Sequence, residues 1–122
     1  RQTEHTHLME NLIYNELRMR GYSVDVGQVT QNTKNEKGIS ERKQLEVDFV
    51  CNRGQDRIYI QSAYALPSEE KTEQELRSLK QIKDSFLKVV IVGGMQPTFR
   101  NDDGILILNI FDFLLNRGGQ NL

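Results

Sequence analysis

Apolar and polar residues alternate along the chain in patterns that predict a series of helices and strands. The first pattern has helical spacing and predicts a helix over residues 4–20, ended by Gly21. Its inward-facing residues are Leu8, Leu12, Ile13 and Leu17. Residues 22–26 alternate between apolar and polar, which indicates a half-buried strand. Residues 30–44 are almost all polar, and we expect them to form a long exposed hairpin tip or a mobile loop.

The middle of the chain predicts a β-hairpin followed by a helix. Residues 45–49 and 57–64 have strand patterns, and the short turn at residues 52–56 makes the two strands an antiparallel pair. Pro67 and Ser68, followed by two glutamates, are a typical helix start, because Ser can cap the helix and acids suit its positive end. We expect this helix to continue to about residue 84, with its apolar face formed by Leu76, Leu79 and Ile82.

Two further strands and a short helix complete the predicted order. Residues 86–92 are an apolar run of the kind that is buried on both faces of a sheet, and residues 105–108 form another strand after a turn at residues 101–104. Asn109 is a candidate cap for a last helix through residue 115, stopped by Gly118 and Gly119. The order α-β-β-β-α-β-β-α predicts an α/β domain, residues 1–122, with a mixed sheet flanked by helices.

Composition limits the location and partners of the domain. The 122 residues are enough for one core, and the longest apolar runs fall far short of the roughly 20 residues of a membrane-spanning helix. A single cysteine, Cys51, favours a reducing, cytoplasmic location, and Cys51 with His5 and His7 makes a poor zinc ligand set. The polar start without Met suggests a piece of a longer protein. With 16 basic and 17 acidic residues, any nucleic-acid contact requires a local basic patch.

Three polar residues are candidate metal ligands because of where the predicted elements place them. If the hairpin is centred on Gly54 and Gln55, residues 48 and 61 pair across it, so that Asp48 and Gln61 become neighbours about 5 Å apart at Cβ, with Ala63 following on the same face. We expect Asp48 to lie on the strand face opposite to Leu45, Val47 and Phe49. Glu10 borders the apolar face of the first helix and points toward the sheet. Acidic side chains in such positions are suitable oxygen ligands for Mg²⁺.

The arrangement is similar to the PD-(D/E)XK nuclease superfamily. It resembles more closely the nuclease-like domain of unknown function at the C-terminal end of a group of prokaryotic AAA-type ATPases. The matching stretches are H-L-M-E-N-L-I-Y-N-E-L-R-M-R-G-Y (7–22), L-E-V-D-F-V (45–50), I-Y-I-Q-S-A-Y (58–64), I-K-D-S-F-L-K-V-V (82–90) and N-I-F-D-F-L-L (109–115). The resemblance implies a restriction-endonuclease-like core and an N-terminal ATPase module in the same protein.

The resemblance also implies roles for individual residues, and the departures from the pattern decide the function. Asp48 stands at the first metal-binding acid, Glu10 at the assisting helical acid, Gln61 at the second acid and Ala63 at the catalytic lysine. A neutral Gln weakens a Mg²⁺ site, and Ala63 removes the cation that orients water and offsets phosphate charge, at a cost of roughly a hundredfold or more each. The candidate replacements for the lysine are Lys43, Lys83 and Lys88. No Lys-Ser/Thr follows Gly93 and Gly94, so no ATP-binding P-loop is predicted in this segment.

Simpler interpretations stand beside these roles. Asp48 is also typical of a solvated strand face, Glu10 of a helix surface, and Gln61 of a hydrogen-bonded core residue. Two functional hypotheses follow. In the first, the domain is a degenerate nuclease-like module that binds DNA or another nucleic acid, or a protein partner, through residues 30–44 and the former active-site cleft. In the second, it is a weakly active Mg²⁺-dependent DNA endonuclease with Glu10, Asp48 and Gln61 around the metal.

Overall fold

Nine elements follow one another in the computed structural model, which describes residues 2–117 and residue 122. They are α1 (Gln2–Met19), β1 (Ser23–Lys34), β2 (Ser40–Arg53), β3 (Asp56–Ala63), α2 (Glu69–Lys80), β4 (Leu87–Val92), β5 (Phe99–Arg100), β6 (Leu106–Asn109) and α3 (Ile110–Leu114). The α/β prediction is confirmed, with one strand more than expected. Strand β5 was missed because two residues are too short to show a periodic pattern.

The sheet has six strands in the order β1-β2-β3-β4-β6-β5. Strands β1, β2 and β3 are antiparallel neighbours, whereas β3, β4 and β6 run parallel and β5 is antiparallel to β6. The short turns make the antiparallel pairs, and the crossover through α2 makes β3 and β4 parallel. Two apolar clusters cover the two faces of this mixed sheet, one containing residues of α1 and α3 and the other residues of α2.

Helix α1 buries a narrower stripe than its sequence predicts. Ile13 and Leu17 are fully buried as expected, and Met9 joins them at helical spacing. Leu8 and Leu12, however, are 63% and 51% exposed, so the prediction that they face the core is wrong. Each lies one residue before a core position, which turns its side chain about 100° around the helix. Among the described residues, none of the helices has the length and apolar character needed to cross a membrane.

Helix α2 starts as predicted and ends earlier. The Ser68 hydroxyl accepts a hydrogen bond from the backbone N–H of Lys71 at 3.1 Å, which confirms the cap, and Gln81 ends the helix. The segment after it is held by Asp84 instead of by helical bonds. The carboxylate of Asp84 accepts from the Tyr59 hydroxyl at 2.5 Å and from the backbone N–H of Phe86 at 3.0 Å.

The polar segment of residues 30–44 is a long exposed hairpin, which confirms the first of the two predicted alternatives and shows that the mobile loop is wrong. Residues 28–34 of β1 pair with residues 40–46 of β2, and we call this hairpin, with its turn at residues 35–39, the ribbon. The turn is closed by the Asn35 side chain, whose oxygen accepts from the backbone N–H groups of Lys37 and Ile39 at 2.9 and 3.0 Å. The ribbon is polar because solvent covers most of it, and strand pairing itself needs only backbone groups.

A β-bulge at the base of the ribbon changes which side chains share a face. Asp25 pairs with Val50 and Gly27 with Val47, so Val26 alone lies opposite Asp48 and Phe49. Val47 therefore packs on the α2 side and Phe49 on the α1 side. The prediction that Leu45, Val47 and Phe49 share one face is wrong, because the extra residue shifts the alternation.

The interior strands are buried as their apolar sequences predict. Residues 89–92 of β4 and all of β6 are buried, and Cys51 of β2 is fully buried in the cluster on the α1 side. Asn109 caps α3 as predicted, since its side-chain oxygen accepts from the backbone N–H of Phe111 at 2.9 Å. The predicted helix stop at Gly118 and Gly119 lies outside the described residues.

Candidate functional site at the divergence of β2 and β3

Strands β2 and β3 separate next to the bulge, and this point forms the candidate site. Their ladder runs from Arg53 opposite Asp56 to Phe49 opposite Ile60, which is the predicted register. The ladder stops there, although both strands continue. The bulge turns β2 away from β3, and this leaves backbone groups of both strands without ladder partners.

The side chains of Asp48 and Gln61 fill this gap. The backbone N–H of Asp48 donates to the Gln61 side-chain oxygen at 2.7 Å, and the backbone N–H of Ser62 donates to an Asp48 carboxylate oxygen at 2.8 Å. The two predicted site residues are therefore neighbours, as the hairpin register implies. Each replaces a ladder hydrogen bond with a side chain, which is a structural role that accounts for both residues.

The Asp48 carboxyl group is electrostatically unusual. Burial raises its pKa from 3.8 to about 6, because removing the carboxylate from water penalises the charged form. The hydrogen bond from the Ser62 N–H acts in the opposite direction and lowers the pKa. The negative charges of Glu10, Glu75 and Glu46 raise it further.

Glu10 of α1 therefore lies within electrostatic reach of Asp48, as its helical position predicts. Glu75 of α2 does as well, and sequence reasoning missed it. Even so, across the residues the structure describes, no three His, Cys, Asp or Glu side chains are arranged to hold a metal ion. The oxygens of Asp48 and Gln61 that point to each other's strand are already hydrogen-bonded. One oxygen of each residue is therefore already engaged, which makes this a poor ligand set for Mg²⁺, an ion that takes near-octahedral oxygen ligands.

A cavity of about 270 Å³ lies beside the site, at the end of β3. Its wall includes Ser62, Ala63, Lys71 and Glu75, so Ala63 contributes a methyl group to it. The Lys71 ammonium lies in the same wall and pairs with the Glu75 carboxylate at 2.8 Å. The Ser62 hydroxyl is buried, and within the described part of the chain it has no hydrogen-bond partner.

Lys71 is the cation that sequence reasoning missed. A signal for it exists, since the loop between β3 and α2 is short and Lys71 lies in the first turn after the Ser68 cap. The first turn of α2 must then lie near the end of β3, where Ala63 is. The candidates chosen from the sequence lie elsewhere. Lys43 is on the ribbon, Lys83 lines a separate cleft, and the Lys88 ammonium is held by the Asp84 carboxylate at 3.1 Å.

The ribbon carries the other concentration of charge. Residues 30–44 contain four cations and two acids, which makes this segment positive within a chain of net charge −1. Among the described residues, no ion pair involves the ribbon cations Lys34, Lys37, Arg42 and Lys43. Several cations elsewhere, including Arg20, Lys71 and Lys80, are paired with carboxylates.

Comparison of the sequence with known proteins identifies its family. Residues 5–113 match the model of a domain of unknown function, DUF4143. The chain belongs to the DUF4143 family. An uncharacterized protein of Haemophilus influenzae is 31% identical to this DUF4143 domain over 107 residues, which cover 88% of the chain. The chain spans only 22% of the length of that relative.

Proposed function

We propose that this DUF4143 domain is a degenerate PD-(D/E)XK nuclease-like domain that binds nucleic acid without cutting it. The fold supports a restriction-endonuclease-like core: α1 covers one face, the β2–β3 hairpin carries Asp48, and α2 crosses over to the parallel strand β4. Such likeness of fold leaves the function open. The chemistry of the site must therefore support the rest of the proposal.

The observation that carries the proposal is the use of Asp48 and Gln61 as a bridge between two strands. A carboxylate that ligates Mg²⁺ must present its oxygens to the metal together with other oxygen ligands. Here one Asp48 oxygen and the Gln61 side-chain oxygen accept backbone N–H groups across the gap. The polar residues at the nuclease positions are therefore engaged by backbone groups, which gives each of them a structural role.

The charges around the site also disfavour phosphodiester cleavage. The neighbours of Asp48 are the acids Glu10, Glu46 and Glu75, and the position of the lysine is occupied by Ala63. A phosphate group approaching this site would meet like charge, and the nearby cation, Lys71, is already paired with the Glu75 carboxylate at 2.8 Å. Deleting one donor that stabilises the charge of the transition state typically costs about a hundredfold or more in rate.

The ribbon, in contrast, favours a polyanionic partner. Its four cations are free of ion pairs among the described residues and project from a stiff, hydrogen-bonded hairpin. A nucleic acid contacts such cations through its phosphates and gains free energy as counterions are released. We therefore favour nucleic acid over a protein as the partner of this element.

The domain would act as the binding part of a larger, cytoplasmic AAA-type ATPase. The length of the Haemophilus influenzae relative, of which the chain covers 22%, supports a larger protein, while the ATPase itself rests on the resemblance described above. A separate module would supply ATP hydrolysis, and the DUF4143 domain would hold the nucleic acid on which that module works.

A second candidate function is weak Mg²⁺-dependent endonuclease activity. It is favoured by Lys71, which lines the same cavity as Ala63 and could replace the missing lysine. In this case the Asp48 and Gln61 oxygens would have to give up their backbone hydrogen bonds to ligate a metal together with Glu10.

One experiment separates the two candidates. Labelled duplex DNA and RNA are incubated with the domain and with the Asp48→Ala variant, with and without millimolar Mg²⁺ or Mn²⁺. Retention of the nucleic acid by the protein and its cleavage are both measured. Calorimetry tests metal binding directly. We expect retention without cleavage, no metal dependence and no metal binding, with Asp48→Ala retaining nucleic acid as well as the parent. Metal-dependent cleavage that disappears in Asp48→Ala would establish the endonuclease instead. Absence of binding to any nucleic acid would overturn the proposal.

A further inference from the structure

We propose that one face of the ribbon binds in the major groove of B-form DNA and contacts the base edges there. We call it the amide face, and its side chains are Thr30, Asn32, Lys34, Ser40, Arg42 and Gln44. The inference rests on the proposed function, because it names the kind of nucleic acid and the surface that binds it.

Strand register assigns these side chains to one face. Thr30 pairs with Gln44, Asn32 with Arg42, and Lys34 with Ser40. Residues directly opposite each other in an antiparallel pair point to the same side, and so do alternate residues along each strand. The intervening pairs, Gln31 with Lys43 and Thr33 with Glu41, point to the other side.

The two faces differ in charge. The amide face has two cations, Lys34 and Arg42, and its continuation toward the base of the ribbon, Gln28 and Glu46, adds one acid. The opposite face has one of each, Lys43 and Glu41, and its continuation toward the base of the ribbon, Val29 and Val47, packs into the core on the α2 side. The amide face is therefore the one that offers both net positive charge and continuous exposure to a partner.

The amide face also has the hydrogen-bonding groups that read bases. Asn and Gln can bond twice to the major-groove edge of adenine, and Arg can bond twice to that of guanine. Within the described residues, the side chains of Asn32 and Arg42 make no hydrogen bond, while Gln44 donates to the Thr30 hydroxyl at 3.2 Å. These groups are available to a partner at little conformational cost, since Asn35 fixes the turn between the strands.

The dimensions of the ribbon favour B-form DNA as its partner. Residues 28–34 rise by about 20 Å along the strand, and a two-stranded ribbon fits a major groove about 12 Å wide. The major groove of A-form RNA is deep and narrow, and side chains cannot read it. Single strands offer no groove. We therefore expect the domain to prefer duplex DNA to double-stranded RNA and to single-stranded DNA of the same sequence.

Arg42 and Lys43 provide a matched pair of variants. They are adjacent, exposed, and unpaired among the described residues, but they lie on opposite faces of the ribbon. Arg42→Ser and Lys43→Ser each remove one positive charge, so both reduce non-specific attraction equally. Only Arg42→Ser also removes a group from the amide face. Asn32→Ala removes a base-reading group from that face with no change in charge.

The test is fluorescence anisotropy of labelled duplex DNA, duplex RNA and single-stranded DNA of one sequence at low and physiological salt. We expect duplex DNA to bind at least tenfold more tightly than the other two, with losses of about fivefold or more for Arg42→Ser and Asn32→Ala and under threefold for Lys43→Ser. Thermal unfolding of each variant, expected to match the parent, confirms that it is folded.

The outcomes also separate this inference from the proposed function. If the three nucleic acids bind equally, or if Lys43→Ser weakens binding as much as Arg42→Ser, the groove-reading face is overturned while nucleic-acid binding stands. If none of the three binds, the proposed function itself fails.

Discussion

The side-chain oxygen of Gln61 lies 2.7 Å from the backbone nitrogen of Asp48 and accepts its hydrogen bond at the point where β2 leaves β3. The Asp48 carboxylate accepts the N–H of Ser62 in return, at 2.8 Å. This reciprocal contact holds together two strands whose ladder has ended. Its contribution to folding can be measured separately from any function.

Replacing Gln61 by Leu should lower the free energy of unfolding by about 1–3 kcal/mol. Leucine keeps most of the volume of the buried side chain but leaves the Asp48 N–H without its acceptor. Urea unfolding followed by circular dichroism measures the change. Gln44→Leu, at an exposed position of the ribbon, is the control, and its effect should stay within about 0.5 kcal/mol. Equal effects of the two substitutions would show that the bridge contributes nothing.

The stability of the protein relative to an Asp48→Asn variant should depend on pH. The folded-state pKa of Asp48 is raised to about 6, so between about pH 4 and pH 6 the folded state holds a proton that the unfolded state releases. The contribution of Asp48 to stability therefore falls as pH rises through this window. Asn does not titrate, and its side-chain oxygen can still accept from the Ser62 N–H.

We expect Asp48→Asn and the parent to have similar stability below pH 4 and the variant to be about 1 kcal/mol more stable at pH 7, a value reduced for the partial solvent access of the group. Urea midpoints measured from pH 3.5 to 7.5 give the difference curve. A constant difference across this range would contradict the raised pKa.

Gly27 at the bulge should tolerate no side chain while Val50 is present. A Cβ atom added at Gly27 would collide with a methyl group of Val50. We expect Gly27→Ala to lower the free energy of unfolding by about 1–3 kcal/mol, because an overpacked core forces side chains or backbone to move.

A double-mutant cycle tests this cause. Gly27→Ala combined with Val50→Ala should cost less than the sum of the two single changes by about 1 kcal/mol, since the second truncation opens the space. Val29→Ala is the matched control, because Val29 lies farther from the added atom than Val50 and Val47 do. Its effect should add to that of Gly27→Ala. Additivity in both combinations would rule out the collision.

Local rules predicted much of the fold. The turn at residues 52–56 determines the register of the β2–β3 hairpin, since each pair follows from the one before it. This is why Asp48 and Gln61 could be identified as neighbours from the sequence. The Ser68 and Asn109 caps were similarly predictable, because capping depends on a few consecutive residues.

The features that were mispredicted depend on contacts between distant segments. The bulge that places Val47 and Phe49 on opposite faces arises from the pairing of β2 with β1. The sequence of residues 45–49 contains no signal that predicts it. The hairpin at residues 30–44 was predicted as one of two alternatives, but the extension of β1 and β2 into it was not, because solvated strands lack the alternation that identifies a strand. The position of Lys71 beside Ala63 follows from the crossover of α2, a tertiary relationship that periodicity does not contain. The roles of Glu10, Asp48 and Gln61 as metal ligands stay predictions.

The buried thiol of Cys51 allows the opening of the sheet around β2 to be measured by chemical labelling. This single cysteine is fully buried, and burial raises its pKa to about 12, so in the native state the thiol is both inaccessible and protonated. Thiol reagents attack the thiolate, and they can reach it only after β2 separates from its neighbours. The rate of labelling therefore measures how often β2 separates from β1 and β3, and a ligand that binds the ribbon would slow the labelling without contacting the sulfur.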